Sequence, residues 1–159
     1  MLSKHFSVFL FFIVTAFSSS VRADGFCTEA ELDALGFKLA PVTDESLRRL
    51  CASTNAIRKV MKSNIAKTGD SHRTYLANRI AAALTKANIT GAGVPCLKCF
   101  AASGQCVLLN CKAQCLTDEY SKACVRCIDE HCHGKFVACV GMETINPADH
   151  KDVLSKCKA

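Results

Sequence analysis

Tryptophan is absent from this chain of 159 residues, and only three prolines interrupt it. Five of its nine phenylalanines fall within the first 23 residues, so beyond that point the aromatics are Phe26, Phe37, Phe100, Phe136, Tyr75 and Tyr120. Aromatic side chains bury the largest areas, and a core so poor in them must rest on Leu, Ile, Val and Ala and be supplemented in some other way. Alternating apolar and polar runs of the kind that mark strands are not visible, which argues against a sheet. Neither a GxSxG nor an HExxH motif is present, and His72, His131, His133 and His150 are scattered. The acidic pairs Glu29/Glu31, Asp44/Glu45, Asp118/Glu119 and Asp129/Glu130 read as helix-start caps and solvated faces. An enzyme is therefore not expected. Beyond the first 23 residues no apolar run approaches the roughly 20 residues of a membrane span, so no transmembrane segment is expected either.

The opening of the chain has the form of a secretory leader. A short basic start (Lys4, with His5) leads into FSVFLFFIVTAF and then SSSVRA, with Val21 and Ala23 at the small-residue positions of a cleavage site. Residues 1–23 are read as a signal peptide, with a mature protein beginning near Asp24 and located outside the cell or in the lumen of the secretory pathway. Removing that segment takes Lys4 and Arg22 and no acid, leaving 18 basic against 14 acidic residues, a formal charge of +4. Basic and acidic residues are interspersed rather than gathered on one face, so a nucleic-acid partner is not expected.

What the chain does have is cysteine. Twelve remain in the 136 residues after the leader, an even number in an oxidising compartment, consistent with six disulfides and no leftover thiol. Two lie before Gly91 and ten after Pro95, so the Gly- and Pro-rich stretch 91–95 separates a cysteine-poor region, 24–90, from a cysteine-rich one, 96–159. The first region reads as helical. Thr28 and Glu31 have the spacing of a capping box, followed by Leu32, Leu35 and a Gly36 stop. Thr43 or Asp44 caps a long amphipathic helix carrying Leu47, Leu50, Cys51, Ile57, Val60, Met61 and Ile65 and ending near Gly69. Asp70 or Ser71 caps a third, with Tyr75, Leu76, Ile80, Ala83, Leu84 and Ala87 on one side. Asn88-Ile89-Thr90 is an N-glycosylation acceptor triplet.

The second region is organised around a near-mirror. Reflected about LTDEYSKA, Cys115 falls on Cys124, Cys111 on Cys127, Cys106 on Cys132 and Cys99 on Cys139, with index sums of 239, 238, 238 and 238. Residues of constant index sum share a height in an antiparallel helical pair, so the mirror predicts an αα-hairpin, with helices over roughly 99–116 and 120–140 and a turn at 117–121, laddered by those four disulfides. One difficulty is phase. Cys106 to Cys111 and Cys127 to Cys132 are steps of five residues, which turn an α-helix by about 500° and leave the two sets of cysteines about 140° apart. A kink at both steps, or helices that cross and wrap, would restore the ladder. The remaining cysteines suggest Cys27–Cys51 and Cys96–Cys157, and a break at Asn146-Pro147 precedes a short terminal helix holding Cys157.

The same residues could serve other chemistries. Cys96-x-x-Cys99 and Cys124-x-x-Cys127, with His131 and His133 nearby, would make a zinc site in a reducing compartment, and CLKC or CVRC a redox site at a helix start. A secretory route and eight further cysteines favour structural pairing, and neither a metal nor a cofactor is expected. In its CxxC start and helical spacing the pattern loosely resembles saposin-like domains; it packs more cysteines into a shorter span, and no property is carried over. Independently, Arg48, Arg49, Arg58, Lys59, Lys62 and Lys67 beside the apolar stripe of the long helix raise lipid or membrane-surface binding as the alternative. The bland reading of the stripe, that it packs on the 71–88 helix, is preferred. The expectation is an all-α, disulfide-rich, secreted, non-enzymatic binding or effector protein for an unidentified protein or surface ligand, with Thr117 to Lys122 as a contact loop.

Overall fold

The computed structural model describes residues 25–64 and 69–157. The secretory leader read over 1–23, and Ile65 and Lys67 of the long helix, lie outside them. The fold is all-α. Among the described residues there is no strand, only an isolated antiparallel bridge between Lys38 and Thr144, beside which Ile145 N–H donates to the Phe37 carbonyl at 3.1 Å.

Helix α1 (Glu29–Leu35) starts in the capping box that its sequence spells: Glu31 N–H donates to Thr28 Oγ1 at 3.2 Å, and Thr28 N–H donates to the Glu31 carboxylate at 2.7 Å. It stops at Gly36, which has φ 77°. Helix α2 (Asp44–Lys62) is capped by Thr43. It ends at Lys62, short of the expected Gly69, because Ser63 Oγ donates to the Lys59 and Val60 carbonyls and Asn64 Nδ2 to the Val60 carbonyl, satisfying groups that a further turn would have used. Helix α3 (Asp70–Lys86) already contains Asp70 and has Gly69 as N-cap with no side-chain cap. The expected Asp70 or Ser71 cap is corrected by geometry: the Asp70 carboxylate lies 3.3 Å from Lys98 Nζ on the following helix.

Helix α4 (Val94–Asn110) begins five residues before the predicted start at 99, with Pro95 in its first turn, where a missing N–H costs nothing. A break at Cys111 separates it from the short α5 (Lys112–Cys115). The return arm is α6 (Lys122–Ile128), a π-helical turn over Asp129–His133, and α7 (Gly134–Val140). A 3-10 turn (Pro147–His150) and α8 (Lys151–Leu154) close the described chain, so Cys157 follows the terminal helix instead of lying within it.

One apolar cluster holds these elements together and draws from both sides of the 91–95 boundary: Leu32, Leu35, Leu50, Leu76 and Ile80 from the first stretch, Leu97, Phe100 and Val140 from the second. Aliphatic residues dominate it, as the composition requires. The scarce aromatics sit at a junction, with Phe100 meeting Phe37 edge-on at 4.9 Å between ring centroids and Phe136 at 5.1 Å. The apolar stripe of α2 (Leu50, Ala56, Val60, Met61) is buried in the same cluster, packed against α3 and α4. Those residues are therefore committed to the core.

The Glu31 carboxylate has a second duty, accepting the Gly93 N–H at 2.8 Å and so tying the start of α1 to the start of α4. Burial pushes its pKa up, but the Thr28 and Gly93 N–H groups and the Thr28 hydroxyl outweigh this and hold it below the ordinary glutamate value. A lowered folded-state pKa means that the stabilisation is complete above the unfolded-state value and is lost as pH falls through the folded one. Glu31→Gln is therefore expected to lose about 0.5–1 kcal/mol at pH 7, a figure kept small because the group is only partly buried and solvent screens its charge. The gap from the parent protein should narrow as pH falls below the ordinary glutamate range, as read by urea denaturation across a pH series. A gap independent of pH would show that the charge contributes nothing.

Candidate functional site

The cysteine-laddered hairpin is the most distinctive feature of the molecule. Cys99–Cys139, Cys106–Cys132, Cys111–Cys127 and Cys115–Cys124 are bonded, with Cα separations of 5.6, 5.7, 5.7 and 4.7 Å. The phase difficulty of the two five-residue steps is met on the two arms by different means. On the outgoing arm the helix breaks at Cys111 (φ −119°, ψ 10°), at the end of the Cys106 to Cys111 step. On the return arm the π-turn at Asp129–His133 occupies the step from Cys127 to Cys132. A π-turn spends one more residue per hydrogen-bonded loop than an α-turn, setting the phase back by about 100° and reducing the mismatch from about 140° to about 40°. The irregular backbone thus sits where the cysteine spacing demands it.

The other two bridges correct the sequence expectation. Cys27 bonds Cys96, not Cys51, and Cys157 bonds Cys51, not Cys96. The Glu31–Gly93 hydrogen bond brings the residues just before α1 to the first turn of α4, and Phe26 and Cys27 N–H donate to the Cys139 and Val140 carbonyls at the end of α7. Cys27 is thereby carried to the hairpin base. The tail lies along α2, where Asn55, one turn beyond Cys51, donates from Nδ2 to the Cys157 carbonyl at 3.3 Å. Neither CxxC closes on itself, no cysteine is free, and among the described residues no group of three or more His, Cys, Asp or Glu side chains could hold a metal ion. His131 is exposed and His133 half-buried on either side of buried Cys132, with His133 Nε2 3.7 Å from Glu143.

At the hairpin tip, Asp118 folds the turn by accepting Tyr120 N–H at 2.9 Å, and Ser121 Oγ caps α6 by accepting Cys124 N–H at 3.2 Å. Glu119 is not a free loop residue: its carboxylate lies 2.7 Å from Arg58 Nη2 on α2, and the same guanidinium donates to Tyr120 Oη at 3.4 Å. Burial and the Glu119 charge raise the Tyr120 phenol above its ordinary pKa, with Arg58 opposing them. Sequence reasoning missed this clasp, because nothing in the text links position 58 to 119. The surface left open at the tip is Thr117, Asp118 and Lys122; Leu116 precedes it and Leu109 lies near the end of α4, 74% and 68% exposed and the most exposed large apolar residues described.

A second concavity lies at the other end of α2. It is a groove of about 420 Å³ between α1, the first half of α2 and the end of α3, lined by Ala30, Ala34, Ala52 and Ala87 and by the charged Arg48 and Glu45 among others. Asn88 and Thr90 line it too. Its guanidinium groups are engaged: Arg48 pairs with Glu45, and Arg49 with Asp33 at 3.2 Å.

Comparison of the chain with protein-family models, with curated proteins and with solved structures finds no match in any of the three. The geometry itself defines the class, a disulfide-rich all-α protein in which four bridges ladder a helical hairpin and two more tie the cysteine-rich region to the amino-terminal helical layer. No helix among the described residues is long and apolar enough to cross a membrane.

Proposed function

We propose that this is a secreted, non-enzymatic binding protein whose hairpin is a rigid scaffold and whose tip is the contact surface for a protein ligand. One observation carries the reading. Leu109 and Leu116, the most exposed large apolar side chains described, bracket the Cys111 and Cys115 rungs, so they are displayed on backbone that cross-links and the Arg58 clasp hold still. Preorganised apolar residues bind without the entropic cost of ordering a loop, which is the use such a scaffold serves. Six disulfides in a chain with a leader-like start support an extracellular or lumenal setting.

The alternative, binding to a lipid surface, is weakened because Leu50, Val60 and Met61 of the α2 stripe are buried and Leu47, Cys51 and Ile57 pack against the same core. The two readings separate in one experiment. Labelled protein and the Leu109→Ser/Leu116→Ser double variant are compared for saturable binding to cells and to vesicles of phosphatidylcholine and phosphatidylserine. Binding to cells that weakens at least about tenfold in the variant, a loss of about 1.4 kcal/mol, with no flotation on vesicles, is the expected result. Equal binding by the two proteins would remove the tip from the site, and leucine-dependent flotation would replace the protein ligand with a membrane.

A further inference from the structure

The acceptor triplet Asn88-Ile89-Thr90 has no part in the tip, and the structure gives it a setting that sequence alone does not. Ile89 is buried in the core while Asn88 and Thr90 on either side of it are exposed, so the anchored middle residue presents the two that matter for sugar transfer to solvent. Asn88 has φ 59° and follows the end of α3, where Ile89 N–H donates to the Leu84 carbonyl at 2.9 Å. That conformation suits Asn or Gly and explains an asparagine as a helix terminator. It does not explain Thr90, exposed two residues later. Both residues also line the 420 Å³ groove, whose other lining combines the small apolar Ala30, Ala34 and Ala87 with Arg48, a mixture that fits the apolar face and the hydroxyls of a pyranose.

From this arrangement we infer that Asn88 carries an N-linked glycan whose first sugars lie along the groove between α1, α2 and α3. The inference rests on the secreted reading above. The donor is a lipid-linked oligosaccharyl pyrophosphate supplied by the secretory lumen. Asn88 Nδ2 attacks the anomeric carbon and loses one proton, a carbon–nitrogen bond forms, the carbon–oxygen bond to pyrophosphate breaks, and the lipid pyrophosphate leaves with that electron pair. No oxidant or reductant is involved. The placement is compatible with the tip as a contact surface. The 88–93 segment enters the base of α4, and the 17 residues of that helix run about 25 Å toward the hairpin tip, which lies beyond α5. The glycan would shield the groove and leave Leu109 and Leu116 uncovered.

The test is expression of the full chain in a eukaryotic secretory host, beside Asn88→Gln, Thr90→Ala and Thr90→Ser. The expected result is secreted, fully oxidised protein bearing a glycan that peptide-N-glycosidase removes, converting Asn88 to aspartate. The modification should be absent from Asn88→Gln and Thr90→Ala and retained in Thr90→Ser. Backbone hydrogen exchange in α1 and the first half of α2 should be slower in the glycosylated protein than in the same protein after enzymatic removal of the sugar. Secreted, oxidised, unglycosylated protein would overturn the glycan and leave the secreted reading standing, whereas retention in the cytosol with reduced cysteines would overturn both. Sugar at Asn88 with unchanged exchange would overturn its placement in the groove.

Discussion

Replacing Gly36 with alanine is expected to destabilise the folded protein by about 3 kcal/mol, the largest effect of any single substitution considered. Two costs combine. Gly36 has φ 77°, a region where an L-residue carries a penalty of about 1–2 kcal/mol. Its added Cβ would also lie 2.3 Å from Leu50 N and 2.4 Å from the Ser46 carbonyl oxygen. Both are backbone atoms of α2, so relief requires moving a helix, and overpacking of this kind adds about 1–3 kcal/mol. Gly134→Ala is the matched control. Nothing lies within 4 Å of its added Cβ, its φ is −58°, and removing a helical glycine should stabilise by about 0.5–1 kcal/mol. Urea denaturation of the oxidised proteins checks both. A Gly36→Ala variant within 1 kcal/mol of the parent would mean that α1 does not dock on α2 as closely as described.

The second large effect concerns the bridges, whose values are unequal for a topological reason. A disulfide stabilises chiefly by removing loop entropy from the unfolded chain, and the loop that counts is the one left when the other bridges are intact. In the ladder the rungs are nested. Cys99–Cys139 spans 40 residues of sequence, yet with Cys106–Cys132 in place only seven residues on each arm remain to be closed. Cys51–Cys157 spans 106, and even with Cys27–Cys96 and Cys99–Cys139 as shortcuts it closes 24 residues back to Cys27, three from Cys96 to Cys99 and 18 after Cys139. The double variant Cys51→Ala/Cys157→Ala is therefore expected to lose about 4 kcal/mol, against about 2.5 kcal/mol for Cys115→Ala/Cys124→Ala at the tip. Hydrogen exchange should also show residues 147–157 released from α2 in the first variant and not in the second. The reverse order of stabilities, measured by denaturant under non-reducing conditions, would refute the chain-entropy account and point to strain or packing at the rungs.

The same topology bears on function. Nested rungs make the hairpin redundant, so that loss of one rung leaves its neighbours holding the arms in register. The tail and the amino-terminal segment have one bridge each. A protein exposed to proteases would be expected to open first at those two single attachments, with the tip the last part to lose its shape.

How much of this was legible in the sequence differs from element to element. The Thr28/Glu31 capping box and the Gly36 stop were readable because a cap is a local event, decided within a few residues by hydrogen bonds among them. The pairing of Cys99, Cys106, Cys111 and Cys115 with their mirror partners was readable because an antiparallel hairpin converts sequence spacing directly into height. The five-residue steps marked where a kink, or a crossing of the helices, was needed, though not that one arm would break and the other would form a π-turn. The partners of Cys27, Cys51, Cys96 and Cys157 were not readable. They depend on the Glu31 carboxylate reaching Gly93, 62 positions away, and on the tail lying along α2 beside Asn55, 102 positions from Cys157. The Arg58–Glu119 clasp and the groove beside Asn88 belong to the same kind. Sequence alone determined the presence of the helices, the cap at Thr28 and the stop at Gly36, and the register of one hairpin, since these follow from periodicity and short-range hydrogen bonding. The tertiary structure decided which surfaces meet, because the packing of one helix on another depends on side chains far apart in the chain whose mutual fit leaves no periodic trace in either stretch.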